Sequence, residues 1–216
     1  MRKDNKSYDV AIIGAGPVGC VTALAYAEIG DDVLMLEANP KAASRLAGEW
    51  LHPGAVDILT KLGIDLAPSE PYPTGRGFVV FPDDGSRPIA LPYETGSFGH
   101  SLHHERLVEI LRAKATNLPN VEYIEPAKAT RIVGQNLTFQ SKSGTMRTIF
   151  ADQIVGAAGR ASVAHAALGV AGSAGTYSRM AGILLENTEL PFEGFGHVVL
   201  GALGPILIYR LSDRFV

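Results

Sequence analysis

Six residues near the start, Gly14-Ala15-Gly16-Pro17-Val18-Gly19, constrain this chain more than any other stretch. They follow Tyr8-Asp9-Val10-Ala11-Ile12-Ile13, a short apolar run rich in β-branched side chains. A run of that kind reads as a strand buried on both faces. Behind the glycines, Val18 to Ile29 is small and apolar and is closed by Gly30, which predicts a helix and its C-terminal stop. Asp31 to Glu37 then reads as a second strand with a carboxylate at its end. Strand, tight turn, helix and strand make a βαβ unit. In it Gly14 permits the turn, Gly16 lets another group approach the backbone, and Gly19 lets helix and strand pack closely.

The N-terminus of such a helix presents unpaired N–H groups and partial positive charge, the natural seat of a phosphate. A carboxylate at the position of Glu37 accepts hydrogen bonds from ribose hydroxyls, so the pattern points to a dinucleotide. Nicotinamide and flavin dinucleotides both satisfy it. A simple nicotinamide-dependent reductase would continue promptly with a third βα unit. Here Asn39 to Ala47 intervenes instead, then Gly48-Glu49-Trp50-Leu51-His52-Pro53-Gly54, then a helix from about Pro53 to Leu62 with Val56, Leu59 and Leu62 on one face. Gly77 to Phe81 and Ile89 to Leu91, joined by the turn Asp83-Asp84-Gly85, read as a small sheet. An amphipathic helix from about His104 to Ala115 turns Leu107, Ile110, Leu111 and Ala115 inward. Strands are expected at Val121 to Ile124, Thr130 to Val133, Leu137 to Gln140 and Met146 to Ala151, and Ile154 to Arg160 as a separate strand returning to the nucleotide sheet. The fold class is therefore α/β, a Rossmann-like βαβ domain with a β-meander, interleaved with part of a second β-sheet domain. The expected division is 1–72 with 98–170 for the first and 73–97 with 171–216 for the second.

Composition narrows the function. At 216 residues, 46% hydrophobic, the chain buries a core, which excludes disorder and fibrous architectures. Net charge is −3 with no basic block, so nucleic acid and anionic membrane surface are poor partners. The single cysteine, Cys20, makes no internal disulfide and fits a reducing, cytoplasmic compartment. On its helix it reads as a small core residue rather than a nucleophile. The longest apolar stretch, Val198 to Tyr209, is broken by Gly201, Gly204 and Pro205 and reads as two strands around a turn rather than a membrane span. His103-His104 lacks the companions a metal site needs, so no metal is expected. Trp50 and Phe78 suit a pocket wall and plain core packing equally.

Gly14 to Gly19, Glu37, Arg45 to Gly54, His103-His104-Glu105-Arg106 and Val155 to Ser162 resemble the single-component FAD-dependent aromatic hydroxylases, and among these the chain is most similar to the squalene epoxidases. Arg45 to Gly63, Gly196 to Leu200 and Gly204 to Ser212 carry the closer likeness. The resemblance implies an FAD-dependent monooxygenase that uses NAD(P)H and O2 to epoxidise or hydroxylate an apolar isoprenoid-like or aromatic substrate. It implies that Gly14, Gly16, Pro17, Val18 and Gly19 surround the FAD pyrophosphate and that Glu37 and Ala38 meet the adenosine ribose. It places Arg45, Arg106 and Gly159 near the phosphates and ribityl chain. The flavin carries the chemistry, so no catalytic side chain is expected.

Two departures from that family stand out. Where its members carry Asp-Gly after the returning strand, this chain has Ala158-Gly159, and a methyl group neither accepts a hydrogen bond nor carries charge. Family members also continue beyond the position of Val216, through more of the substrate sheet, a Gly-Asp flavin motif and a C-terminal helical region. A peripheral membrane attachment is expected in that C-terminal part, and a sheet cut here expects a partner or a second copy over its edge. The competing expectation is a non-catalytic nucleotide-binding module.

Overall fold

The computed structural model describes residues 2–44, 47–66, 74–159, 163–170, 180–201 and 203–216. The chain forms two compact units, each built from two separate stretches: Met1–Arg45 with Leu107–Arg179, and Leu46–Arg106 with Met180–Val216. It runs through β1 (Arg2–Ile13), α1 (Pro17–Glu28), β2 (Val33–Leu36) and a 3-10 turn at Pro40–Ala43. Then come β3 (Gly48–Leu51), α2 (Pro53–Lys61), β4 (Thr74–Gly75), β5 (Gly77–Phe81), β6 (Ile89–Pro92) and β7 (Gly99–His103). Next are α3 (His104–Thr116), β8 (Val121–Ile124), β9 (Ala127–Val133), β10 (Asn136–Ser141), β11 (Met146–Gly156) and α4 (Val163–Ala167). The last strands are β12 (Phe195–Val199) and β13 (Ile206–Ile208).

The first unit holds a six-stranded sheet in the order β8-β2-β1-β11-β10-β9. β1 lies parallel to both β2 and β11, and β2 parallel to β8. β9, β10 and β11 form the antiparallel meander. All four residues of β2 are buried, as a strand covered on both faces requires. Ile12 pairs with Met35 and Ile13 with Leu36, so the strand ends that flank the glycine turn are held in register. Beneath them Ile13, Leu34, Leu36, Leu137, Phe139 and Ile149 pack into one apolar cluster.

Three sequence expectations change here. β11 is one strand of 11 residues, where a break was expected at Asp152-Gln153. Both residues are exposed, and pairing to β1 continues past them, Tyr8 to Ala151 and Val10 to Gln153. The meander and the nucleotide sheet therefore share a strand. β1 likewise begins at Arg2 rather than Tyr8, because its polar start pairs with Arg147 and Thr148. In α3 the buried apolar residues are Leu107, Val108, Leu111 and Ala115, and Ile110 is only half-buried.

The second unit contains two sheets, β13-β12-β5-β6 and β3-β7-β4. β12 runs parallel to β5, and Val199 pairs with Ile206 across the Gly-Pro connection, the expected pair of strands around a turn. By contacts, residues 47–66 and 98–106 group with this unit, whereas the sequence division places them with the nucleotide fold.

Candidate functional site

The glycine turn is built by close backbone approach. Gly14 has φ +107°, and a Cβ there would lie 2.6 Å from the Ala157 carbonyl oxygen, so only glycine fits. A Cβ on Gly19 would lie 1.8 Å from the Gly14 oxygen, which seats the first turn of α1 on the strand end. Gly16 differs from both: a Cβ there meets nothing within 4 Å. Gly16 is also the N-cap of α1 and offers no side-chain cap, with Pro17 at the first helical position. The amides of that first turn lack intrahelical partners, and Val18 is exposed. An open face over uncapped helix amides fits a pyrophosphate.

Glu37 follows β2 directly and is only 9% exposed. Its backbone is fixed by Glu37 N–H donating to Ile124 O at 3.1 Å and by Ala127 N–H donating to Glu37 O at 2.7 Å. Its carboxylate ties the turn to the loop: Ala15 N–H donates to Oε2 at 2.9 Å and Asn39 N–H to Oε1 at 2.8 Å. Each oxygen keeps a further lone pair for a ribose hydroxyl. Ala38, the next residue, is exposed.

Arg112 of α3 escaped the sequence reading. Its Nε–H donates to Ala15 O at 2.9 Å and an Nη1–H to Pro40 O at 3.2 Å, and Nη2 lies 3.6 Å from Glu37 Oε2. One guanidinium thus touches the glycine turn, the strand-end carboxylate and the loop after it. A signal was present, since Arg112 lies four residues after Val108 and three before Ala115, both buried.

Among the other expected site residues, Gly159 is exposed at φ +72° in the turn after β11, next to Ala158, whose Cα backs onto Gly14. The structure thus brings the glycine turn, Glu37 and the Ala158-Gly159 turn together. Arg106 stands in the first turn of α3, half-buried. Arg45, Arg160 and Ser162 lie outside the described residues. Cys20 is buried, and burial pushes its thiol up to about 12, so it stays protonated.

In the second unit Trp50 packs against Phe78 at 5.1 Å and Tyr209 at 5.5 Å between ring centroids. Trp50 Nε1–H donates to Tyr93 Oη at 2.8 Å, and Tyr93 Oη lies 2.8 Å from His52 Nδ1. Indole nitrogen only donates, so the tyrosine oxygen accepts from Trp50, and the sense of the Tyr93–His52 bond follows the imidazole tautomer. His104 Nδ1 meets Glu49 Oε1 at 2.5 Å. A cavity of about 260 Å³ is lined by residues including Ile183, Leu185, Ile206, Leu207, Tyr209 and Leu211. Among the described residues no helix is long and apolar enough to cross a membrane.

A turn that admits only glycine at two positions and lies open at a third, beside a clamped carboxylate, defines a dinucleotide-binding α/β protein. Residues 7–203 match the FAD binding domain family, and the chain belongs to that family. Squalene epoxidase 3 of Arabidopsis thaliana is 31% identical over 99% of this chain and 42% of its own length. The squalene epoxidase of Aspergillus fumigatus is 35% identical over 95% of this chain and 45% of its own. The chain thus spans less than half the length of these relatives. The myxobacterial chondrochloren halogenase, an FAD-dependent halogenase, shares the fold with a TM-score of 0.76 at 20% identity, over 97% of this chain and 51% of that one.

Proposed function

We propose that this chain carries the flavin-binding part of an FAD-dependent monooxygenase that transfers one oxygen atom from O2 to an apolar isoprenoid-like or aromatic molecule, with NAD(P)H as electron donor. The observation that carries this reading is the contrast within the turn: Gly14 and Gly19 are closed by backbone contact and Gly16 is open. A purely structural turn would have no use for that opening. Bound FAD supplies the redox chemistry, accepting hydride from nicotinamide and activating O2.

The chain's own residues bind and orient. Backbone amides at Gly16, Pro17 and Val18 frame the pyrophosphate, with Pro17 lending position rather than a donor. Glu37, beside Ala38, takes the ribose hydroxyls, and Arg45, Arg106 and Gly159 serve the phosphates and ribityl chain. The aromatic group around Trp50 and the cavity beside Ile206 and Tyr209 support an apolar substrate. A substrate of that kind partitions into lipid, so we assign the whole protein to the cytoplasm and the membrane surface bordering it.

The test is oxygen transfer by the whole protein loaded with FAD. With NAD(P)H, a linear isoprenoid alkene and isotopically labelled O2, one labelled oxygen per product molecule is expected, with nicotinamide oxidation that rises on adding substrate. Bound FAD that nicotinamide never reduces would favour the non-catalytic module that Ala158 motivates.

A further inference from the structure

The polar contacts of Arg112 reach three segments that the nucleotide reading treats separately. Its guanidinium side chain is 17% exposed and lies against Ala15, Glu37 and Pro40. Two consequences follow from geometry. A peptide is planar and trans, so the C=O of Ala15 and the N–H of Gly16 point in opposite directions. With Ala15 O held by Arg112 Nε at 2.9 Å, the Gly16 N–H is turned away from α3. Cys20 Sγ–H, 3.4 Å from the same oxygen, adds to that hold. On the other side, the guanidinium 3.6 Å from Glu37 Oε2 draws the carboxylate to its place between the Ala15 and Asn39 amides.

We propose that Arg112 is a positioning residue for the nucleotide, orienting with one planar fork both the Gly16 amide toward the pyrophosphate and the Glu37 carboxylate toward the adenosine ribose. The inference rests on the FAD reading above and deepens it. A lysine does not substitute, because one ammonium on a flexible stem does not hold three acceptors spread over a plane. Cys20 and Tyr123, the latter donating to Glu125, also face the guanidinium. Burial, with the Glu125 hydrogen bond, pushes the Tyr123 phenol well above its ordinary range, so Tyr123 stays neutral and leaves the guanidinium to Glu37.

The experiment measures binding of ADP and 2′-deoxy-ADP to the 216-residue chain by calorimetry, with circular dichroism and thermal melting alongside. A ribose hydroxyl on a carboxylate is worth about tenfold, so the wild-type chain is expected to prefer ADP by about that factor. Arg112→Gln and Arg112→Lys are both expected to keep the native spectrum and to lose most of the preference. Glu37→Gln is expected to lose it too, and adding Arg112→Gln to Glu37→Gln to change the ratio no further. A folded Arg112→Lys or Arg112→Gln variant that keeps the wild-type ratio would overturn the assignment. So would loss of the native fold in both variants, which would place Arg112 in the scaffold. A wild-type chain that binds ADP without preference would overturn the ribose contact, and one that binds neither ADP nor FAD would overturn the nucleotide reading itself.

Discussion

The Cα of Gly19 rests against the carbonyl of Gly14 so closely that a Cβ at position 19 would sit 1.8 Å from that oxygen. The acceptor is backbone at the end of a buried strand, so neither side gives way cheaply. Gly19→Ala is expected to cost about 3 kcal/mol, the upper end for overpacking, and urea unfolding followed by circular dichroism measures it.

Gly16 predicts the opposite separation of stability from binding. Its φ of −77° suits any L-residue, and among the described residues, its own chain neighbours aside, no atom lies within 4 Å of a Cβ there. Gly16→Val is expected to leave stability within about 0.5 kcal/mol of wild type while abolishing FAD binding. Melting curves and flavin fluorescence, read on the same sample, check both halves.

The Trp50–Tyr93–His52 chain predicts a modest and non-additive loss. Trp50→Phe keeps an aromatic ring beside Phe78 and Tyr209 but removes the donor to Tyr93, at an expected cost of about 1 kcal/mol. Tyr93→Phe breaks both links, and the double variant is expected to be less destabilised than the sum of the two singles. Thermal unfolding of the three variants decides.

Two histidines, His197 buried and His100 half-buried, predict a pH dependence. Burial lowers the pKa of His197 below 6.5, outweighing the carbonyls of Phe195 and Ile208 and the charge of Glu193, and the ring stacks on Phe81. Burial likewise lowers that of His100, against the charge of Asp65. A histidine with a depressed folded-state pKa contributes stability that is fully present above its unfolded value and is lost as pH falls through 6.5 toward the folded value. The melting temperature is therefore expected to fall from pH 7 to pH 5, and His197→Phe to flatten part of that slope. Glu122 acts at lower pH: burial raises its pKa, but hydrogen bonds from Lys6 and Tyr8 outweigh this and bring it below 4.5.

The βαβ unit was legible because its signals are local. An apolar run, three spaced glycines and a carboxylate all lie between Tyr8 and Glu37, and each has a steric or electrostatic reason to stand where it does. The polar start of β1 and the unbroken length of β11 were not legible. Arg2 and Asp152 carry no strand pattern of their own, and it is backbone pairing between β1 and β11, distant in sequence, that extends the strands past them. Arg112 sat between the two: the helix spacing set it three residues before the inward Ala115, but its acceptors, Ala15 and Pro40, become neighbours only on folding. Trp50 shows the same limit. Whether it lines a pocket or fills a core depends on Phe78 and Tyr209, which reach it from separate strands and loops.

The most direct measurement is titration of the 216-residue chain with FAD, followed by flavin fluorescence, with Gly16→Val as the matched control. Saturable binding of one FAD per chain by the wild type, and none by the folded variant, is the predicted result. Equal binding by both, or none by a correctly folded wild type, would contradict the assignment of the open glycine turn as the cofactor seat.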